Sequence, residues 1–365
     1  VERQRYRHLE LPERTGAAQL PAFKVLDIRH QPMEDGLSYP LLEAIRQHLD
    51  SHAQVLLFLN RRGYAPTLMC YGCDWVAECR RCEARMTWHH GDGRLHCHHC
   101  GSQRPVDSAC PQCGGSELHP VGQGTERVEQ ALAARFPDIE LIRIDRDTTR
   151  RKGELDRLLA QAAAGKQQLL LGTQMLAKGH HFPNVTLVCI LDADQGLFST
   201  DFRGSERMAQ LIVQVAGRAG RHERPGEVII QTAHPDHPLL KLLVTRGYPA
   251  FAAAALAERQ EARLPPVTRI ALLRAEATDA DRPVQYLETV QQRISDSGIG
   301  GVEVWGPVPA AMERRAGRYR AQLMLQADQL GSLQQVLDSL VRQLAEAKET
   351  RQVRWSIDVD PVNTY

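Results

Sequence analysis

The sequence has 365 residues, enough for two or three domains that each bury a core of their own. Hydrophobic residues make up 42% and charged residues 24%, which excludes a disordered chain, and a net charge of +1 gives no global field to announce a nucleic-acid partner. No apolar run approaches the ~20 residues that span a bilayer, and the charged start, Val1 to Arg5, has no signal-peptide core, so a cytoplasmic chain with no membrane partner is expected.

The opening Val in place of Met reads as the start of a piece of a longer protein. Residues 1–69 look like the beginning of a lobe: a basic lead-in, a short amphipathic helix with Leu41, Leu42, Ile45 and Leu49, then Gln54 to Leu59. That last run is short, continuous and apolar, which suits a buried parallel strand.

Between 70 and 120 the composition turns to Cys, His, Arg and Gly, with too few aliphatic residues for an ordinary core. Eight of the nine cysteines fall there in four CxxC pairs: Cys70/Cys73, Cys79/Cys82, Cys97/Cys100 and Cys110/Cys113. Each turn presents two thiolates to one tetrahedral ion, so four turns predict two zinc ions. Three pairings of the turns are possible. The fourteen residues between Cys82 and Cys97 suit a ribbon, whereas the five between Cys73 and Cys79 are tight. A nested arrangement follows, with Cys79, Cys82, Cys97 and Cys100 inside and Cys70, Cys73, Cys110 and Cys113 outside. Disulfides are disfavoured in a cytoplasmic chain, and zinc is preferred to an iron–sulfur cluster. Four thiolates leave no coordination position open for water, so these ions are staples rather than catalysts. His89, His90, His96, His98 and His99 read as supporting or surface residues. Arg80, Arg81 and Arg85 read equally as phosphate contacts or a solvated face, and Cys189 as core.

From 121 to 245 helices and strands alternate: helix 128–136, strand 141–144, helix 155–164, strand 168–171, strand 185–191, helix 208–216 and strand 227–232. This pattern predicts a parallel sheet that includes the strand at Leu56, which makes the cysteine stretch an insertion. A helical linker at 246–268 contains an Ala-rich helix and the break Leu264-Pro265-Pro266. Residues 269–365 then read strand, helix, strand, strand, helix, strand, a ferredoxin-like order, with Trp305 and Trp355 expected in its core. Between the second and third of these strands, Arg314, Arg315, Arg318 and Arg320 with Tyr319 suit a phosphate backbone or an acidic peptide tail, and read equally as a solvated hairpin with charged ends.

Three loops carry the motor chemistry. In Gln214-Val-Ala-Gly217-Arg218-Ala-Gly220-Arg221, two guanidiniums stand three residues apart among glycines that let the backbone come close. Such a pair reaches a γ-phosphate held by an opposite lobe, so Arg218 and Arg221 are candidate arginine fingers and Gln214 and Gly217 candidate nucleotide contacts. The string GTQMLAKGHHFP follows a strand, at the ligand-facing edge of a parallel sheet. It places Thr173 and Gln174 for nucleic-acid phosphates and Lys178 and Gly179 toward the nucleotide. Arg61 and Arg62, after the first strand, form a third loop for nucleic acid, beside which a purely solvated reading stands. Asp192-Ala-Asp194 reads as closing the sheet edge. The sequence holds no GxxxxGK[ST] phosphate loop and no DExH strand, so this chain alone is not expected to hydrolyse ATP.

Taken together, FLNRRGYAP, the eight-cysteine insertion, TQMLAKGHHFP, QVAGRAGR, the LPP break and Asp358-Val-Asp-Pro resemble the C-terminal half of the PriA-like replication-restart helicases of superfamily two, over nearly all 365 residues. The resemblance implies an α/β fold: a RecA-like parallel-sheet helicase lobe with a small zinc-ribbon insertion, followed by an α+β ferredoxin-like C-terminal domain. It implies that the full-length protein is a 3′ to 5′ DNA helicase using ATP with Mg, which recognises stalled or repaired forks and directs primosome assembly. The implied partners are branched or forked DNA, single-stranded DNA, single-stranded-DNA-binding protein, primosome proteins and the replicative helicase loader. The implied location is the bacterial cytoplasm, on the nucleoid. The alternative class is a non-catalytic zinc-ribbon module that binds fork DNA and primosome partners.

Overall fold

A computed structural model describes residues 21–29, 31–59, 67–70, 73, 75, 77–81, 86–89, 93–97, 102–116, 118–121, 125–145, 147–177, 182–191, 193–198, 201–220, 225–346 and 352–362, and the chain divides into two compact units. In chain order it begins with β1 (Ala22–Asp27), the β2 and β3 hairpin (Met33–Glu34, Leu37–Ser38), α1 (Tyr39–Asp50) and β4 (Gln54–Phe58). The cysteine-rich stretch supplies β5 (Thr67–Cys70), β6 (Thr87–His89), β7 (Arg94–His96), β8 (Gln103–Pro105) and β9 (Leu118–Val121). Then follow α2 (Thr125–Arg135), β10 (Glu140–Ile144), α3 (Glu154–Ala163), β11 (Gln168–Gly172), α4 (Gln174–Ala177), β12 (Val185–Ile190), α5 (Asp194–Leu197), α6 (Gly204–Ala216), β13 (Glu227–Thr232) and α7 (Pro238–Glu261). The chain ends with β14 (Arg269–Ala277), α8 (Arg282–Asp296), β15 (Val302–Arg315), β16 (Arg318–Ala327), α9 (Leu330–Glu346) and β17 (Arg354–Val359).

In the first unit a parallel sheet runs in the order β1-β13-β12-β4-β11-β10. Strands β4, β11 and β12 are buried at every position, as central parallel strands covered on both faces must be. Val55, Leu57, Leu169, Leu171, Leu187 and Cys189 pack on α1 and α2 through Leu41, Ile45, Val128 and Leu132. The alternating set Leu56, Phe58, Leu170, Val188 and Ile190 is buried on the opposite face. Each such side chain contributes roughly 1.5–3 kcal/mol of burial free energy. Gln231 fastens the hairpin to this sheet: its Oε1 accepts from Ser38 N (2.9 Å) and Oγ (2.7 Å), and its Nε2 donates to Gly36 O (3.0 Å).

Three expectations change here. Strand β1 was read as part of the lead-in, yet it pairs along its length with β13. Helix α6 begins at Gly204, a turn before the expected start. The sequence offered no membrane-length apolar run, whereas Pro238–Glu261 meets that length and composition. It is nevertheless two helices joined at Gly247 (φ 77°, ψ −179°), and neither piece reaches the ~20 residues of a span.

The second unit contains two sheets. The C-terminal one is antiparallel in the order β15-β16-β14-β17, the ferredoxin-like arrangement, with α8 and α9 on one face. Leu287, Val290, Leu333, Leu337 and Leu340 meet Leu273, Leu323 and Leu325 there. Trp355 packs against this core, but Trp305 does not and is 54% exposed. Strand alternation explains the correction: Val302 and Val304 pack inward on β15, so Trp305 takes the other face, opposite Met324. The other sheet is the ribbon, in the order β8-β7-β6-β5-β9.

Candidate functional site

In register, Ile144 faces Gly172, Gly172 faces Phe58, and Phe58 faces Ile190. The loops after β10, β11, β4 and β12 therefore leave the carboxyl edge from one row, the edge at which parallel α/β sheets bind ligands. Gly172 makes the row possible. A Cβ there would overlap the carbonyl oxygen of Ile144 and lie 2.7 Å from Leu176 Cδ1. The chain then turns at once into α4, Leu176 N donating to Thr173 O (3.0 Å), and leaves Thr173 and Gln174 half-buried at the edge. Leu176 and Phe182, both fully buried, pin the two ends of the segment that carries Lys178 and Gly179. Lys178 and Gly179 themselves, and Arg61 and Arg62 after β4, lie outside the described residues.

Asp145 organises the neighbouring loop. Its carboxylate accepts from Thr125 Oγ1 (2.8 Å) and from the amides of Asp147 and Thr148 (2.9 Å each), with Arg143 at 3.2 Å. Burial raises its pKa, but Arg143 and these donors outweigh that and hold it below the usual carboxylate range. Glu129, 2.6 Å from the same guanidinium, goes the other way: burial dominates and lifts its pKa. Thr149 Oγ1 continues the contact to Met175 Sδ (3.6 Å). Sequence reasoning passed over Asp145, although Asp145-Arg-Asp-Thr-Thr directly after a strand is a side-chain-closed turn pattern.

Asp194 does not close a sheet edge, because β12 is an interior strand. Instead its carboxylate accepts from Thr232 Oγ1 and Ala233 N, tying the ends of β12 and β13 together. Asp192 lies outside the described residues.

The QVAGRAGR string closes α6. Gly217 N donates to Val213 O (3.0 Å), Arg218 N to Val215 O (2.9 Å) and Gly220 N to Val185 O (3.1 Å). Gly220 has φ +68°, and Gly226 sits so close that a Cβ on it would lie 2.7 Å from Ala219 C and Gly220 N. The fold itself therefore demands glycine at both positions. Gly217 is different: a Cβ there meets only the carbonyl oxygens of Gln214 and Val213 at 3.4 Å. Gln214 is exposed, Arg218 is only 7% exposed, and Arg221 lies outside the described residues.

The metal centre is the best-defined cluster. Pairing of β5 with β9 places Cys70 opposite Leu118 and so brings the first and last CxxC turns together. Cys70 and Cys113 sulfurs are 3.6 Å apart, Cys73 and Cys110 likewise, and all four lie within 4.8 Å of one another. Zn–S bonds of ~2.3 Å imply tetrahedral S···S edges of ~3.8 Å, so these four cysteines fit one zinc ion. At Cys110 burial opposes ionisation, but the amides of Cys113 and Gln112 and the neighbouring thiols donate to the sulfur and draw its pKa down to about 7. This is the outer quartet expected from spacing. Of the inner quartet, Cys79 and Cys97 sit in a small core with Leu68, Ala77, Met86 and Leu95, while Cys82 and Cys100 lie outside the described residues.

Met312 of β15 packs against that small core, and Gly317 N donates to Arg81 O (2.6 Å). The arginine hairpin is thus held by the ribbon. Within it, Arg314 lies over the Tyr319 ring at 5.4 Å, Arg315 is exposed and Arg318 half-buried.

These features meet their counterparts in known proteins. The helicase conserved C-terminal domain matches residues 121–223, the PriA DNA helicase Cys-rich region matches 79–105, and the primosomal protein N C-terminal domain matches 260–362. Replication restart protein PriA of Haemophilus influenzae is 46% identical over 99% of this chain and 49% of its own length. The chain resembles PriA over nearly its whole length. The Bacillus subtilis PriA is 37% identical over 98% of this chain and 45% of its own length, so the chain spans about half the length of the curated PriA relatives it matches. The C-terminal domain of the DEAD-box protein Dbp5 is 13% identical, covers 62% of this chain and 84% of that one, and has a TM-score of 0.32. That likeness is too slight to argue from, and the RecA-like reading of this lobe rests on its strand order and helicase-domain match.

Proposed function

We propose that this chain supplies the second motor lobe, zinc ribbon and C-terminal domain of an ATP-dependent, 3′ to 5′ DNA helicase that recognises stalled or repaired forks and directs primosome assembly. The row Ile144, Gly172, Phe58 and Ile190 carries the reading, because it gathers the candidate loops at one edge of the sheet. In this reading Mg-ATP is held by a first lobe contributed by the rest of the protein. Gln214, Gly217, Lys178 and Gly179 line the nucleotide, and Arg218 and Arg221 stabilise the charge on the transferring phosphoryl group. Gly217 supports it, since the fold of the lobe does not require a glycine there. So does the burial of Arg218, because a guanidinium held in place beforehand needs little reorganisation at the moment of reaction.

Thr173, Gln174, Arg61 and Arg62 contact DNA phosphates, and the hairpin arginines Arg314, Arg315 and Arg318 make a second contact. Two zinc ions staple the ribbon. The partners are single-stranded-DNA-binding protein, primosome proteins and the replicative helicase loader, on the nucleoid in the bacterial cytoplasm. The test is Arg218→Ala in the full-length parent. DNA-stimulated ATP hydrolysis should fall by about 10²–10³ while fork binding is kept. Unchanged turnover would overturn the assignment.

A further inference from the structure

Arg274 and Glu276 on β14, Arg318 and Arg320 on β16, Arg315 at the end of β15 and Arg354 on β17 line one cavity of about 500 Å³. The alternating β14 residues Leu273, Ala275 and Ala277 belong to the helix-covered core, so Arg274 and Glu276 stand on the open face of the sheet. Register makes the convergence explicit: Arg354 and Arg320 flank Glu276 from the two neighbouring strands.

Two carboxylates among the described residues pair with this cluster. Glu276 lies 3.9 Å from Arg354, and Asp358 lies 2.9 Å from Arg274. The lining itself holds five guanidiniums to one carboxylate, Glu276, an excess of positive charge. Like charges on adjacent strands destabilise a sheet. Arg320 shows the tension: burial first, then Arg315 and Arg274, hold its pKa below the usual arginine range, with Glu276 pulling the other way. A cavity of this size falls within the ~300–1,000 Å³ of ligand sites, and planar guanidiniums pair with phosphate oxygens two at a time. A single carboxylate would leave most of the excess in place, whereas several phosphates close together would offset it.

We propose that this cavity binds clustered phosphates, presented either by a soluble polyphosphate or by a nucleic-acid backbone. The proposal deepens the nucleic-acid reading of the hairpin and adds Arg274 and Arg354, which come from outside it.

The test uses the whole zinc-loaded chain with two probes, inorganic tripolyphosphate by calorimetry and a labelled single-stranded oligonucleotide by anisotropy. Arg354 is 71% exposed, so Arg354→Gln leaves folding intact. It should weaken one or both probes about tenfold and lower the salt slope for the oligonucleotide by about one. Arg342→Gln, on the exposed side of α9, should match the parent. Loss of tripolyphosphate binding identifies the soluble source, and loss of the oligonucleotide alone identifies the backbone. The proposal is overturned if Arg354→Gln and Arg320→Gln leave both probes unchanged, or if Arg342→Gln weakens them equally. If Arg314→Ala weakens the oligonucleotide while Arg354→Gln does not, the hairpin reading stands and the cavity fails.

Discussion

The amide of Gly317 donates to the carbonyl oxygen of Arg81 across 2.6 Å. Arg81 lies between Cys79 and Cys82 in the sequence, so the tip of the arginine hairpin is hooked onto the segment proposed to bind the inner zinc. Stripping zinc with a chelator should loosen that tip. A bond with a net worth of ~1 kcal/mol corresponds to a five- to tenfold loss of amide-exchange protection at Gly317. Protection that survives chelation would show the hairpin to be held independently of the ribbon.

Zinc content tests the nested pairing. Cys70→Ser and Cys110→Ser should each reduce the metal from two ions per chain to one, and combining them should remove no more. Cys70→Ser with Cys79→Ser should remove both. Elemental analysis reads the outcome directly, and a combined Cys70/Cys79 variant that keeps one zinc would rule the nested arrangement out.

Two glycines should behave oppositely. Gly172→Ala forces a methyl group against Ile144 O and Leu176 and should cost about 1–3 kcal/mol, seen as a lower urea midpoint. Gly217→Ala should leave that midpoint within about 0.5 kcal/mol, since its surroundings admit a Cβ. In the full-length parent, the same Gly217→Ala should still impair ATP turnover.

Acid should weaken the lobe partly through Asp145. Its folded pKa is depressed, so its contribution is present above the ordinary aspartate pKa of ~3.9 and disappears as pH falls through the lower folded value. Glu129 acts with the opposite sign: its raised folded pKa makes the lobe gain stability as pH drops from the folded toward the unfolded value. Urea midpoints measured from neutral to acidic pH should fall less steeply for Asp145→Asn than for the parent. An unchanged slope would remove Asp145 from the explanation.

The parts legible in the sequence are those whose signal is local. β4, β11 and β12 are unbroken apolar runs, and the outer cysteines declare themselves by CxxC spacing. β1 was hidden because Lys24 and Asp27 interrupt it, as permitted in a strand that, among the described residues, pairs only with β13. Trp305 was misplaced because hydrophobicity alone cannot say which face of an edge strand a residue takes; its register against Met324 decides that. The roles of Asp194 and Gly226 were invisible for another reason. Each depends on backbone brought near by folding, Thr232 and Ala233 for one and Ala219 and Gly220 for the other.

The pairing of Thr67 with Val121 bears on how the lobe assembles. The sheet must join β4 to β11 across more than a hundred residues, a separation that ordinarily slows folding through the entropy of closing so long a loop. Because the ribbon brings its own first and last strands side by side, once folded it presents the lobe with the equivalent of a short connection. Metal uptake that orders the ribbon would thereby hasten closure of a sheet that contains none of the metal's ligands, and zinc starvation during synthesis would appear first as slow assembly of the lobe.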